Sequence, residues 1–148
     1  DVNIHKHLLK VSIRKRTMLE KNFWLTVKKN LPKKCLATRI ENRHGGGVPD
    51  VHIAQDGFVY WVELKVAKSN KVLISPDQTA WHVAFNRCGG QSFILVKRSK
   101  DRCVFLFEGN SATEVRDSGL AAPCAWSGQD LAALFSFLKE RGRRTRGQ

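Results

Sequence analysis

The sequence predicts an α/β protein in which one mixed β-sheet carries helices on its faces. Three observations lead there. The chain has 148 residues, 42% of them hydrophobic and 26% charged, which supplies one core and excludes a disordered or collagen-like chain. Apolar residues recur with helical spacing in some segments and alternate in others. The two patterns follow one another as helix, three strands, helix, two strands, helix. A single domain is expected to span 1–148, with a basic segment at 1–16 and a basic tail at 141–148.

The first helix is predicted from Thr17 to Leu31, where Phe23, Trp24, Val27 and Leu31 form one stripe and Pro32 ends the run. Alternating segments Cys35–Ile40, Val51–Ala54 and Phe58–Val66 read as strands. Asn42–Pro49, with Gly45, Gly46 and Gly47, reads as a loop, and Gln55-Asp56-Gly57 as a tight hairpin turn. A second helix opens with Ser75 as N-cap, Pro76 at its first position and Gln78 three residues after the cap, and runs to about Asn86 before Gly89 and Gly90. Ser92–Val96 and Cys103–Phe107 read as a hairpin of two further strands. The last helix is expected from Ser127, with Leu131, Leu134, Phe135 and Leu138 on one face. Residues 108–126 carry no clear pattern, and the tail from Arg141 is too basic and too poor in apolar residues to be expected to pack.

Charge points to the partner. Lys and Arg number 26 against 13 Asp and Glu, a net +13, with a pI near 10.1. A polyanion is therefore the expected partner, nucleic acid before an anionic membrane surface. No stretch approaches the roughly 18 apolar residues of a membrane helix, and no signal-peptide pattern opens the chain, so an intracellular, cytoplasmic protein is expected. Opening on Asp1 rather than Met leaves room for a start further upstream. Cys35, Cys88, Cys103 and Cys124 lack metal-ligand spacing and read as reduced thiols used as small core residues.

Alternation puts Val59, Trp61, Glu63 and Lys65 on one face of the third strand and Phe58, Tyr60, Val62 and Leu64 on the other, as in a strand buried on both sides. Glu63 and Lys65 stand out there, although a cross-strand ion pair or a strand end reaching water would also explain them. Asp50 changes the balance. It lies 13 residues before Glu63, across the Asp56-Gly57 turn, so antiparallel pairing brings the two carboxylates together at one end of the hairpin. Adjacent carboxylates resist ionising together unless a cation lies between them. Oxygen ligation by two carboxylates, completed by water and phosphate, is how Mg²⁺ is commonly held, and Lys65 is placed to orient or deprotonate a water.

Gly47-Val48-Pro49-Asp50, then Glu63-Leu64-Lys65, then Ser75-Pro76-Asp77-Gln78-Thr79-Ala80-Trp81 resembles the PD-(D/E)XK nuclease superfamily, and within it the small VRR-NUC and Holliday-junction-resolvase-like branches, several of them phage-encoded. The likeness covers roughly Thr17 to Val96. It implies a restriction-endonuclease-like α-β-β-β-α-β core in which Asp50 and Glu63 bind metal, Leu64 lends its carbonyl, and Lys65 assists the nucleophile. It further implies an acidic residue on the first helix, here Glu20, and a glutamine after the E-x-K strand, here Gln78, that orients the lysine, water or phosphate. Both have local alternatives, because Thr17-x-x-Glu20 and Ser75-x-x-Gln78 also read as capping boxes. Glu41 is the rival third carboxylate.

Arg39, Arg43, Lys68 and Lys71 flank these motifs as an expected phosphate-binding rim, with Arg14, Lys15 and Arg16 as its extension. His44 in the glycine loop is a possible DNA contact, whereas His82 is expected to face solvent, and Trp81 and Phe85 are expected in the core. The glycines form no nucleotide-binding fingerprint, so no nucleotide cofactor is expected; they are expected to bring the loop close to a DNA backbone. The expected function is a Mg²⁺-dependent endonuclease, with Mn²⁺ substituting. It is expected to act as a homodimer on branched DNA, foremost the Holliday junction, in a bacterial or phage-infected cell. The alternatives are a flap or sequence-tolerant nuclease of the VRR-NUC kind, and an inert nucleic-acid-binding protein on the same fold.

Overall fold

A computed structural model describes residues 2–40 and 46–147. The elements run α1 (Val2–Lys29), β1 (Cys35–Arg39), β2 (Val51–Gln55), β3 (Phe58–Ala67), α2 (Pro76–Arg87), β4 (Ser92–Arg98), β5 (Val104–Glu108), α3 (Ala112–Ser118), β6 (Trp126–Gly128) and α4 (Leu131–Arg146). The strands form one sheet in the order β1-β2-β3-β4-β5-β6. Only the β3–β4 pair is parallel, bridged by α2; the others are antiparallel. The predicted mixed sheet with flanking helices is the observed architecture.

Two cores lie on opposite faces of this sheet. Phe23, Trp24 and Val27 of α1 pack with Leu131, Leu134, Phe135 and Leu138 of α4 over Val51, Ile53, Tyr60, Val62 and Leu64. On the other face Ile94, Val96 and Phe107 are covered by Ala112 and Val115 of α3, with Val83 of α2 at the margin. The β2–β3 hairpin turns through Asp56 at φ 48° and Gly57 at φ 79°, the paired left-handed conformations that a two-residue turn of this hand requires. A local signal thus sets the register that brings Asp50 opposite Glu63.

The structure revises several expectations. The first helix begins at Val2, so the basic 1–16 segment is its first half, and Thr17 is a mid-helix residue whose hydroxyl donates to the Ile13 carbonyl at 2.9 Å. Thr17 therefore caps nothing. The unpatterned 108–126 stretch holds two short 3₁₀ turns, α3 and the start of β6. Strand β6 occupies the predicted start of the last helix, which begins after Asp130, whose carboxylate accepts the Ala132 N–H. The basic tail continues that helix to Arg146: Gly142 is buried, a Cβ there would lie 2.6 Å from Phe58, and Arg141 pairs with Glu108. Its charges point outward while the missing glycine side chain lets the helix approach the sheet.

The thiols are free; Cys35 is half-buried against the α1–α4 core, but Cys103 is only half-buried and Cys88 and Cys124 are exposed, so the core expectation holds at most for Cys35. Nor is β3 covered on both faces throughout, since Val59 is 52% exposed. Among the described residues, no helix is long and apolar enough to cross a membrane.

Candidate active site

The site forms where β2 and β3 end against the first turn of α2. Val51 pairs with Val62, so Asp50 and Glu63 come next to each other in register. The Asp50 carbonyl accepts the Ile40 N–H at 2.7 Å and its carboxylate accepts the Leu64 N–H at 3.2 Å, which ties the residue to both neighbouring strands. Glu63 is 2% exposed. One of its oxygens, Oε1, accepts from Gln78 Nε2 at 2.7 Å and lies 3.4 Å from Lys65 Nζ. Among the described residues no donor reaches its other oxygen, Oε2, which is also buried.

Gln78 performs both of the tasks the sequence left as alternatives. Its Oε1 accepts the Ser75 N–H at 3.0 Å, completing the capping box, and also accepts from Lys65 Nζ at 3.0 Å, while Nε2 holds Glu63. The amide has two donors and a carbonyl with two lone pairs, enough for all three bonds. Cap geometry fixes the side chain, and the fixed side chain holds Glu63 and Lys65.

Electrostatics follows from burial. Desolvation first, and the charge of Asp50 second, push the Glu63 carboxyl up to about 8. Burial also raises Asp50, against the lowering effect of the Leu64 N–H and of Lys65. Glu20, half-buried on the face of α1 that meets the sheet, is raised by its own desolvation and by Asp50, while Lys65, Arg16 and Arg39 oppose the rise. Mutual influence among Glu20, Asp50, Glu63 and Lys65 means that one patch of field contains all four. Among the described residues, however, no three His, Cys, Asp or Glu side chains converge into a metal-ligand set, so Glu20 stands beside the Asp50–Glu63 pair without closing a cage around it.

The remaining predicted residues divide. Arg39 is half-buried at the end of β1, and Lys68 and Lys71 are exposed after β3. A groove between α1 and the end of β3 collects Lys15, Arg16, Lys68 and Lys71 with Leu19 and Val66, which gathers much of the expected basic rim in one place. Glu41, Arg43 and His44 lie outside the described residues. Gly47 has φ 83°, and its missing side chain accommodates the Asp77–Gln78 backbone of α2. Gly47 thus makes room for a helix, while a Cβ at Gly46 would meet nothing within 4 Å and Gly45 lies outside the described residues.

His82 is the clear miss. It is fully buried, with Nδ1 2.7 Å from Ser92 Oγ, and burial lowers it to about 4. The signal was present: His82 follows Gln78 by one helical turn, on the side that must face the sheet. Trp81 and Phe85 are half-exposed, stacked at 4.6 Å between ring centroids, and not core residues.

A mixed sheet with this strand order, carrying an acidic pair and a lysine at the end of two adjacent strands, defines a nuclease of the restriction-endonuclease-like fold. The chain belongs to the archaeal Holliday junction resolvase (Hjc) family, whose model matches residues 32–142; it is a structure-selective endonuclease of the junction-resolving kind. The match begins after α1 and ends within α4. Among solved structures, Archaeoglobus fulgidus Hjc, a Holliday junction resolvase from an archaeal hyperthermophile, aligns over 63% of this chain and 76% of its own at 19% identity and a TM-score of 0.48. No curated protein matches the sequence.

Proposed function

We propose that junction cleavage by this chain is metal-dependent and runs through Asp50, Glu63 and Lys65. One observation carries the reading: Glu63 is buried next to Asp50 with an oxygen that no donor among the described residues satisfies. An unpartnered carboxylate oxygen in the interior is costly, and a hard divalent cation is the ligand that relieves both this cost and the repulsion of the pair. Mg²⁺ fits the all-oxygen donor set, with Mn²⁺ as its substitute. Asp50, Glu63 and the Leu64 carbonyl would hold it, with Glu20 beside them in the same field. When bound, the ion activates a water and neutralises charge developing on the phosphate.

The protein's own residues do the rest. Gln78 holds the Lys65 ammonium beside Glu63, where it orients the attacking water and stabilises the phosphate's growing negative charge. Lys15, Arg16, Arg39, Lys68 and Lys71, joined by Arg43 and His44, bind phosphates along the strand and fix its register without reading bases. Two strands of a four-way junction must be cut, so the working form is a homodimer acting on intracellular DNA.

The deciding experiment incubates labelled four-way junction, flap, duplex and single strand with the protein in Mg²⁺, in Mn²⁺ and in chelator. Metal-dependent paired nicks on opposing junction strands are expected. Preferential flap cleavage would move the substrate to the VRR-NUC alternative, and binding without cleavage in either metal would leave an inert binding protein.

Salt separates the two components of binding. Duplex affinity should fall with a slope of about −0.9 per phosphate contact, while junction affinity persists at a salt concentration that abolishes it, because two sites engage at once. Equal salt sensitivity for junction and duplex would contradict the two-site reading.

Glu20→Gln is expected to lower cleavage by about tenfold or more while leaving the fold intact, since burial already disfavours the charge that glutamine removes. Unchanged cleavage there, with strong loss in Glu41→Gln, would transfer the role to Glu41.

A further inference from the structure

Of the three long helices, α2 alone buries no apolar side chain. Its buried residues are Thr79 and His82, whereas α1 buries Phe23, Trp24 and Val27, and α4 buries four large apolar residues. Apolar contact is non-directional, while hydrogen bonds demand distance and angle, so the place of α2 on the sheet is set mainly by polar contacts. Gln78, His82 and Asn86 recur every fourth residue and form one row along the helix. Gln78 reaches Glu63 and Lys65 of β3. One turn on, His82 Nδ1 lies 2.7 Å from Ser92 Oγ, and a turn further Asn86 Nδ2 donates to the same Oγ at 2.7 Å and to the His82 carbonyl at 2.8 Å. Ser92 opens β4 in register with Trp61, two residues before Glu63, so the row on α2 follows the β3–β4 seam.

The bonds at Ser92 fit one arrangement of protons. Asn86 fills a lone pair of the hydroxyl, and the hydroxyl proton has His82 Nδ1 as its acceptor among the described residues. Burial, and then the charge of Lys65, lower His82 to about 4, so the imidazole is neutral at pH 7 and that nitrogen is free to accept. Gly109 closes the other side, since a Cβ there would collide with Ser92 Oγ and Asn86 Nδ2.

We propose that His82 is a positioning residue for junction cleavage: its bond to Ser92 fixes α2 on the sheet, and thereby fixes Gln78 where it grips Glu63 and Lys65. This role rests on the reading of Glu63 and Lys65 as cleavage residues. The capping box sets Gln78 relative to its own helix, but a contact between α2 and the sheet is needed to set the helix relative to Glu63. Thr79 does not supply it, because its hydroxyl bonds back to the Ser75 carbonyl at the cap. His82 is the buried α2 side chain that bonds to a strand, a single turn from Gln78. Without that bond the first turn of α2 is free to shift, and shifts of about 1 Å at a reacting centre carry large rate losses.

The test compares His82→Leu with His82→Asn. Leucine fills the space but cannot bond Ser92, while asparagine returns an acceptor oxygen near the place of Nδ1. At saturating junction and Mg²⁺, His82→Leu is expected to lose about tenfold or more in kcat with junction Kd within about twofold of wild type, and His82→Asn to recover to within about threefold. In a Gln78→Ala background, where the link to the site is already cut, His82→Leu should cost less than about threefold more. Hydrogen exchange of the Gln78 side-chain amide, followed by nuclear magnetic resonance, reads the same grip without cleavage: about tenfold faster in His82→Leu than in wild type, and restored in His82→Asn. Should His82→Leu fail to fold, Ser92→Ala removes the same bond and carries the same expectations. Wild-type kcat or wild-type amide exchange in His82→Leu, equal losses in His82→Leu and His82→Asn, or losses that multiply in the Gln78→Ala background would each overturn the proposal. A wild type that cuts no junction would sink the cleavage reading instead, and the amide exchange would still decide whether His82 holds Gln78 in place.

Discussion

Replacing Glu63 with glutamine is expected to reduce junction cleavage at least about a thousandfold, a loss of roughly 4 kcal/mol of transition-state stabilisation. The same change is expected to stabilise the metal-free protein above neutral pH. The folded-state carboxyl of Glu63 sits at about 8, raised by burial and then by Asp50, against an ordinary 4.5. Native protein therefore holds a proton that the unfolded chain releases over that interval. Stability from this group is complete below the ordinary carboxylate value and is lost as pH climbs through about 8. Melting temperatures of metal-free wild type should accordingly fall between pH 5 and 8.5, and those of Glu63→Gln should fall less. Added Mg²⁺ at the alkaline end should restore wild type and leave the variant unmoved. Parallel melting curves for the two proteins across this range, or equal cleavage by both, would remove Glu63 from the site.

Gly47→Ala is expected to cost about 2 kcal/mol or more of stability and to slow cleavage by about ten- to a hundredfold. Gly47 holds φ 83°, a conformation that costs an alanine about 1 kcal/mol. The added Cβ would also strike the Asp77 carbonyl and the Gln78 N–H. Both partners are main chain in the capped first turn of α2, so neither yields without moving Gln78. Because Asp50 follows Gly47 by three residues and Gln78 grips Glu63 and Lys65, relief of the clash displaces opposite sides of one site, and displacements near 1 Å carry rate losses of this size. Urea unfolding and junction cleavage measure the two effects. Gly46→Ala is the control: a Cβ there meets nothing within 4 Å, and wild-type behaviour is expected. Full stability and activity in Gly47→Ala would show that the loop does not lean on the helix.

The parts of the site that could be read along the chain share one property: their geometry is set by neighbours close in sequence. The Asp56-Gly57 turn sets the hairpin register, and the register alone places Asp50 opposite Glu63. The capping box positions Gln78 from three residues away. Period and breakers likewise gave the middle strands and α2 to within a residue or two.

Tertiary structure decided what covers each surface. Local spacing shows that a helix has an apolar stripe but not how far the opposite side is buried, so His82 was expected in water and lies fully enclosed against Ser92 of β4. The first half of α1 lacks a clean stripe because it carries exposed Ile4, Leu8 and Ile13 beside basic residues, so its helix was invisible to periodicity. The tail looked unable to pack because its one burying residue, Gly142, has no side chain to register as apolar; its contact is the distant Phe58. Strand β6 holds three residues paired with β5, too few for alternation to register. Whether Trp81 and Val59 would be core or surface depended on where α2 lies across the sheet, which no spacing within either segment encodes. The order of the elements and the Asp50, Glu63 and Lys65 cluster were thus legible from the sequence, because short-range backbone geometry determines them, whereas Gln78 joined that set only through the family resemblance. The depth of each residue came only from the fold, because burial is a property of contacts between segments far apart in the chain.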